Sequence, residues 1–150
     1  MSDLRPKTYY YISSFFSTLI FIPTFISSVI GSDWDSYALI GTYKNYLTSG
    51  VYFPSRPPGF PLYEFLIGSL IKYSEFLLIT KEQLLIIFQL FLLLSLNYLI
   101  YKFFNKTSSP NYLIYLTIVC SPIYLISGLS VIDYFLGSLF GFSAIYFLFY

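Results

Sequence analysis

Histidine does not occur in this sequence, and its absence removes the commonest general base and the commonest metal ligand together. Any acid–base work must fall to carboxylates, lysine or tyrosine. The single cysteine, Cys120, sits inside an apolar run, which excludes an internal disulfide and a cysteine-rich metal site. Charge is scarce as well. Asp, Glu, Lys and Arg make up 10% of residues, the net charge is +1, and no basic tract points to nucleic acid. Hydrophobic residues, by contrast, reach 57%, with a mean hydropathy of +0.71. A water-soluble domain of 150 residues cannot hide that much apolar surface. The solvent this sequence asks for is a bilayer.

The N-terminus carries Arg5 and Lys7 ahead of an apolar run over 9–30. That run has the roughly twenty residues a bilayer core requires, and no small-residue cleavage pattern follows it. It predicts a retained transmembrane helix with Pro23 as a candidate kink. Four further apolar stretches cover 61–79, 84–104, 112–127 and 131–150.

Lysine and arginine gather in cytoplasmic loops, so Arg5 and Lys7 put the N-terminus in the cytoplasm and residues 31–64 outside. Were 61–79 to cross the membrane, the loop with Lys102 and Lys106 would lie outside, against the rule. The 61–79 stretch also carries Glu64, Lys72 and Glu75, too many charges for a lipid-facing span. Phe65, Leu66, Ser69, Leu70, Tyr73 and Leu77 share one of its faces, as on a helix lying along the surface. The expected fold is therefore all-α: one multi-pass membrane domain over 1–150, with four spans and two juxtamembrane amphipathic helices in an outer loop at about 32–80. The stop at Tyr150, inside an apolar run, reads as the N-terminal part of a larger membrane domain.

Residues 31–64 are the one long polar interval. Ser32 and Asp33 offer N-caps, with Asp35 in a capping-box-like position three residues after Ser32. Leu39, Ile40, Tyr43, Tyr46 and Leu47 then form a stripe opposite Thr42, Lys44, Asn45 and Ser49. Gly50 is a natural stop, so 36–49 is expected as a short surface helix.

Asp33 and Asp35 follow the first span closely enough to sit at the membrane boundary. There a carboxylate can deprotonate an acceptor hydroxyl; equally, both can serve only as helix caps. Arg56 stands in Pro54-Ser55-Arg56-Pro57-Pro58-Gly59, a stiff setting for a guanidinium that fits phosphate oxygens. Attraction to lipid headgroups is the plainer reading. Asp133, a lone charge in an apolar run, is a site residue or the cap of the last helix. Glu64 can bond within the loop, order the arginine or join a cation site.

An N-terminal helix followed by Asp33-Trp34-Asp35-Ser36-Tyr37 and then Arg56-Pro57-Pro58-Gly59-Phe60-Pro61-Leu62 resembles the GT-C membrane glycosyltransferases. The nearest branch is that of protein O-mannosyltransferases and aminoarabinose transferases. The resemblance implies an acid after helix one as catalytic base and a tyrosine four positions later, here Asp33 and Tyr37. It implies a second outer-face acid, matched by Asp133, and a basic residue near the donor phosphate, matched by Arg56. The acid pair is Asp-Trp-Asp rather than adjacent Asp-Glu, so Asp35 is an alternative base. The family's Lys-Pro-Pro-Leu form is absent, and Arg56 is offset from that lysine.

The implied reaction moves a sugar from a polyprenyl-phosphate donor to a hydroxyl acceptor outside the cytoplasm, with a divalent cation neither required nor excluded. Two rivals remain: a transporter or flippase-like protein that binds such a substrate without bond cleavage, and a structural subunit.

Overall fold

The computed structural model describes residues 6–28, 34–54, 61–106, 111–130 and 134–149, and every regular element among them is an α-helix. They are α1 (Pro6–Ser27), α2 (Trp34–Ser49), α3 (Pro61–Ser74), α4 (Lys81–Lys106), α5 (Tyr112–Val119), α6 (Pro122–Leu129) and α7 (Tyr134–Phe149). Two of them, α1 and α4, are long and apolar enough to cross a membrane, and the bent pair α5–α6 makes a third if it counts as one span. The apolar α7 has 16 residues. At 1.5 Å per residue its described part covers about 24 Å.

α4 is the centre of the bundle, packed by α1, α3, α5, α6 and α7. Its start is written in Thr80-Lys81-Glu82-Gln83. The Thr80 hydroxyl accepts from the Gln83 amide at 3.2 Å while the Gln83 side chain accepts from the Thr80 amide at 3.1 Å, a reciprocal capping box. Leu85, Leu92, Leu93, Leu96 and Ile100 are then buried along it.

Cross-contacts fix the directions of the other helices. On α1, Tyr10 meets Tyr98 and Tyr101, whereas Ser17, further along, bonds Asn97. α1 and α4 are therefore antiparallel. Tyr9 of α1 stacks on Tyr112, the first residue of α5, at 4.9 Å, so α5 departs from the end of the bundle where α4 finishes. Further on, Tyr124 of α6 reaches Asn97, and Gly128 lies against Leu93. The α5–α6 pair thus retraces α4 away from Lys102. The short helix α3 touches α4 through Tyr63 and Gln89, near α4's start. One end of the bundle carries Lys7, Lys102 and Lys106; the other carries α2 and α3.

α1 is polar inside and apolar outside. Tyr11, Phe15, Leu19, Ile22 and Ile26 form an exposed stripe at 49–74% exposure, while Ser13 and Ser17 are fully buried. A helix in water would reverse that arrangement, and lipid explains it. α1 continues through Pro23 and stops at Ser28, whose φ of 54° leaves the helical region.

Three expectations need correction. The 112–127 stretch is two helices meeting at 48°, because Pro122 has no N–H to continue the ladder and pushes Ser121 into extended backbone. Ser121 then caps α6 through the Tyr124 amide at 3.3 Å. The surface helix expected over 61–79 ends at Ser74, with turns after it. Its expected apolar stripe is left uncovered at Phe65 and Tyr73 and half-buried at Leu66 and Leu70, which suits a lipid-facing side, while the buried face carries Tyr63, Glu64, Ile67 and Gly68. In α2, Thr42 lies on the buried face beside Leu39 rather than opposite it, its hydroxyl satisfied by the Ala38 carbonyl at 3.0 Å. Gly50 ends α2 as expected, at φ 70° with its N–H on the Tyr46 carbonyl at 2.9 Å.

Candidate functional site

Packing of α2 against α3 builds a small cleft lined by Thr42, Tyr46, Tyr52, Glu64 and Phe65. Glu64 is the chemically notable member. It sits in the first turn of α3, where the helix N-terminus favours a carboxylate, and is only 2% exposed. The Tyr52 hydroxyl donates to its Oε2. Tyr52 also stacks on Phe65 at 5.5 Å, and Tyr46 meets the same ring edge-on at 5.7 Å. Three aromatic rings thus line the cleft together with Glu64 and Thr42.

Burial pushes the Tyr52 phenol up to about 12, helped by its hydrogen bond to Glu64 and by that carboxylate's charge. At neutral pH Tyr52 is a firm donor. The contact also ties together positions twelve residues apart, closing the stretch that contains Arg56. The Tyr52–Glu64 contact is a bond within the loop, one of the readings open for Glu64. Tyr37, on α2, is 58% exposed and stands apart from this cleft.

Asp33, Arg56 and Asp133 lie outside the described residues. Asp35 falls in the first turn of α2, with its side chain likewise outside the description. Among the described residues, no group of three or more His, Cys, Asp or Glu side chains is placed to hold a metal.

A second polar constellation runs through the bundle. Ser13 spends its one hydroxyl proton on the Tyr10 carbonyl at 2.9 Å, so the Tyr115 hydroxyl, 2.7 Å away, must be the donor to Ser13 Oγ. Ser17 likewise donates to the Ser13 carbonyl at 3.0 Å and accepts from Asn97 Nδ2 at 3.2 Å. Asn97 Oδ1 accepts from Tyr124 at 2.8 Å. From Tyr115 to Tyr124 each of these hydroxyl protons has an acceptor, and α1, α4, α5 and α6 are joined. Towards α3, Gln89 donates to the Tyr63 hydroxyl. Sequence reasoning gave Gln89 and Asn97 no role. The signal was their spacing: with Leu93 they form one i, i+4, i+8 stripe in an apolar helix.

No protein-family model matches the chain, and no curated protein or solved structure matches it either.

Proposed function

We propose that this chain belongs to a membrane glycosyltransferase that takes a sugar from a polyprenyl-phosphate carrier. The reading places four spans in the bilayer, α1, α4, α5–α6 and α7, with the N-terminus cytoplasmic and α2 and α3 at the outer surface. The observation that carries it is the antiparallel pairing of α1 and α4. On this reading the connection between them, with its acids and prolines, lies at the end remote from Lys7, Lys102 and Lys106. Lysine-rich ends face the cytoplasm, so the connection faces outward.

The chemistry assigned to that end uses this chain's own residues. Asp33, or Asp35 two positions on, takes the proton of an acceptor hydroxyl. The acceptor oxygen then bonds to the anomeric carbon as the bond from that carbon to the phosphate oxygen breaks. The electron pair leaves on the polyprenyl phosphate, where Arg56 meets the charge. Asp133 supplies a second carboxylate, Tyr37 contacts the substrate, and Glu64 with Tyr52 braces the loop that bears Arg56.

Transport is less well supported. A transporter needs polar groups in the membrane that are free to exchange partners, whereas the Ser13–Asn97–Tyr124 series has its hydroxyl protons committed. The test is incubation of the full-length protein in liposomes with labelled polyprenyl-phospho-sugar and a hydroxyl acceptor. Free polyprenyl phosphate should appear, and Asp33→Asn should stop its release without altering membrane insertion. Retention of the lipid without cleavage would favour transport. Neither binding nor cleavage would favour a structural subunit.

A further inference from the structure

An open groove of about 460 Å³ runs between α1, α4 and α7. Phe91, Leu94, Leu99 and Leu139 make it apolar. Towards the Lys102 end its walls are Tyr10 and Tyr98, whose rings meet edge to face at 5.8 Å. From Phe91 to Tyr98, α4 rises about 10 Å, roughly two-thirds of one leaflet's hydrocarbon depth.

An apolar groove alone names no occupant, but its end does. The Lys102 ammonium lies 5.3 Å from the centre of the Tyr98 ring, one turn beyond the groove. Lys7, exposed, precedes Tyr10 by three residues and so shares its face of α1. The acids among the described residues lie on α2, α3, the turn after α3 and the first turn of α4, all at the opposite end. Two cations, with no acid at that end among the described residues, thus stand where an apolar chain would leave the groove.

We propose that this groove is a binding site for an anionic phospholipid of the leaflet at the Lys7–Lys102 end. One acyl chain lies along Phe91, Leu94 and Leu139, and the phosphodiester lies against Lys7 and Lys102. Tyr98 sits at headgroup depth, where an amphipathic ring is at home. The site is independent of the glycosyltransferase reading, since it lies at the other end of the bundle. A zwitterionic lipid fits the groove equally well but gains less from the lysines. A second protein helix gains nothing from them.

Native mass spectrometry of the delipidated full chain tests this, with dioleoyl phosphatidylglycerol and dioleoyl phosphatidylcholine titrated separately. The phosphatidylglycerol adduct should be the tighter. Lys7→Ala and Lys102→Ala should each weaken it about fivefold while leaving phosphatidylcholine unchanged. Leu139→Trp should fill the groove and weaken both lipids; Ser143→Phe is a second filling variant should the first fail to fold. Equal retention of the two lipids would overturn the proposal. So would lysine effects that persist when the filling variants change nothing, because binding would then be to surface charge alone. A lipid-free dimer would overturn it in favour of a second copy covering the groove.

Discussion

Replacing Asn97 with leucine removes the joint of the buried polar series while nearly preserving volume. The side chain is fully buried and holds two interhelical contacts, to Ser17 on α1 and from Tyr124 on α6. Hydrogen bonds between membrane helices average about 0.6 kcal/mol and reach about 1.7, so losing two should cost about 1–2 kcal/mol. Part of that cost is the stranded Tyr124 hydroxyl, which Tyr124→Phe removes. The double variant should therefore be less destabilised than the two single changes summed, with a coupling of about 0.5–1.5 kcal/mol. Reversible unfolding in mixed micelles measures all four members of the cycle. A coupling below about 0.3 kcal/mol would refute the geometry, since unconnected sites add within that margin.

Glu64→Gln should bring the Tyr52 phenol down from about 12 towards its ordinary 10, though not all the way, because burial is the first cause of the shift. Difference ultraviolet titration against a Tyr52→Phe background reads this directly. A phenol raised in the folded state contributes stability that is whole below pH 10 and is lost as pH climbs through about 12. The native protein should therefore weaken over that window, and Glu64→Gln should narrow it; an unmoved titration would remove the Tyr52–Glu64 contact from the account. Gly128→Ala should cost about 1–3 kcal/mol in the same micelle assay, because its new methyl would meet Leu93 Cδ1 at 2.5 Å and Phe135 at 3.0 Å. Thr80→Ala breaks the capping box of α4 and should cost about 1 kcal/mol. A loss nearer zero would mean that packing alone starts that helix.

The sequence made the helices legible wherever local chemistry decides them. Gly50 stopped α2 where a left-handed residue was needed, and the scarcity of charge pointed to lipid. Pro122 was an equally local signal, yet the hydropathy of 112–127 masked it, because a broken span is as oily as a straight one. Which face of α3 is buried was not readable, since apolar residues occupy both sides and Glu64 argued for exposure. Its burial follows from a donor, Tyr52, that sequence distance conceals. Thr42 misled for a related reason: a threonine that bonds its own helix backbone is no longer polar to its neighbours. The residues given the central chemical roles, Asp33, Arg56 and Asp133, lie outside the described residues, so their roles still rest on the resemblance and on topology.

That topology is the most direct test. In a Cys120→Ser background, single cysteines at Lys7, Thr48 and Lys106 can be labelled in sealed vesicles by a membrane-impermeant maleimide. All three native positions are exposed on the protein surface. The account predicts that Lys7→Cys and Lys106→Cys react from one side of the membrane and Thr48→Cys from the other. Labelling of positions 48 and 106 from the same side would contradict it.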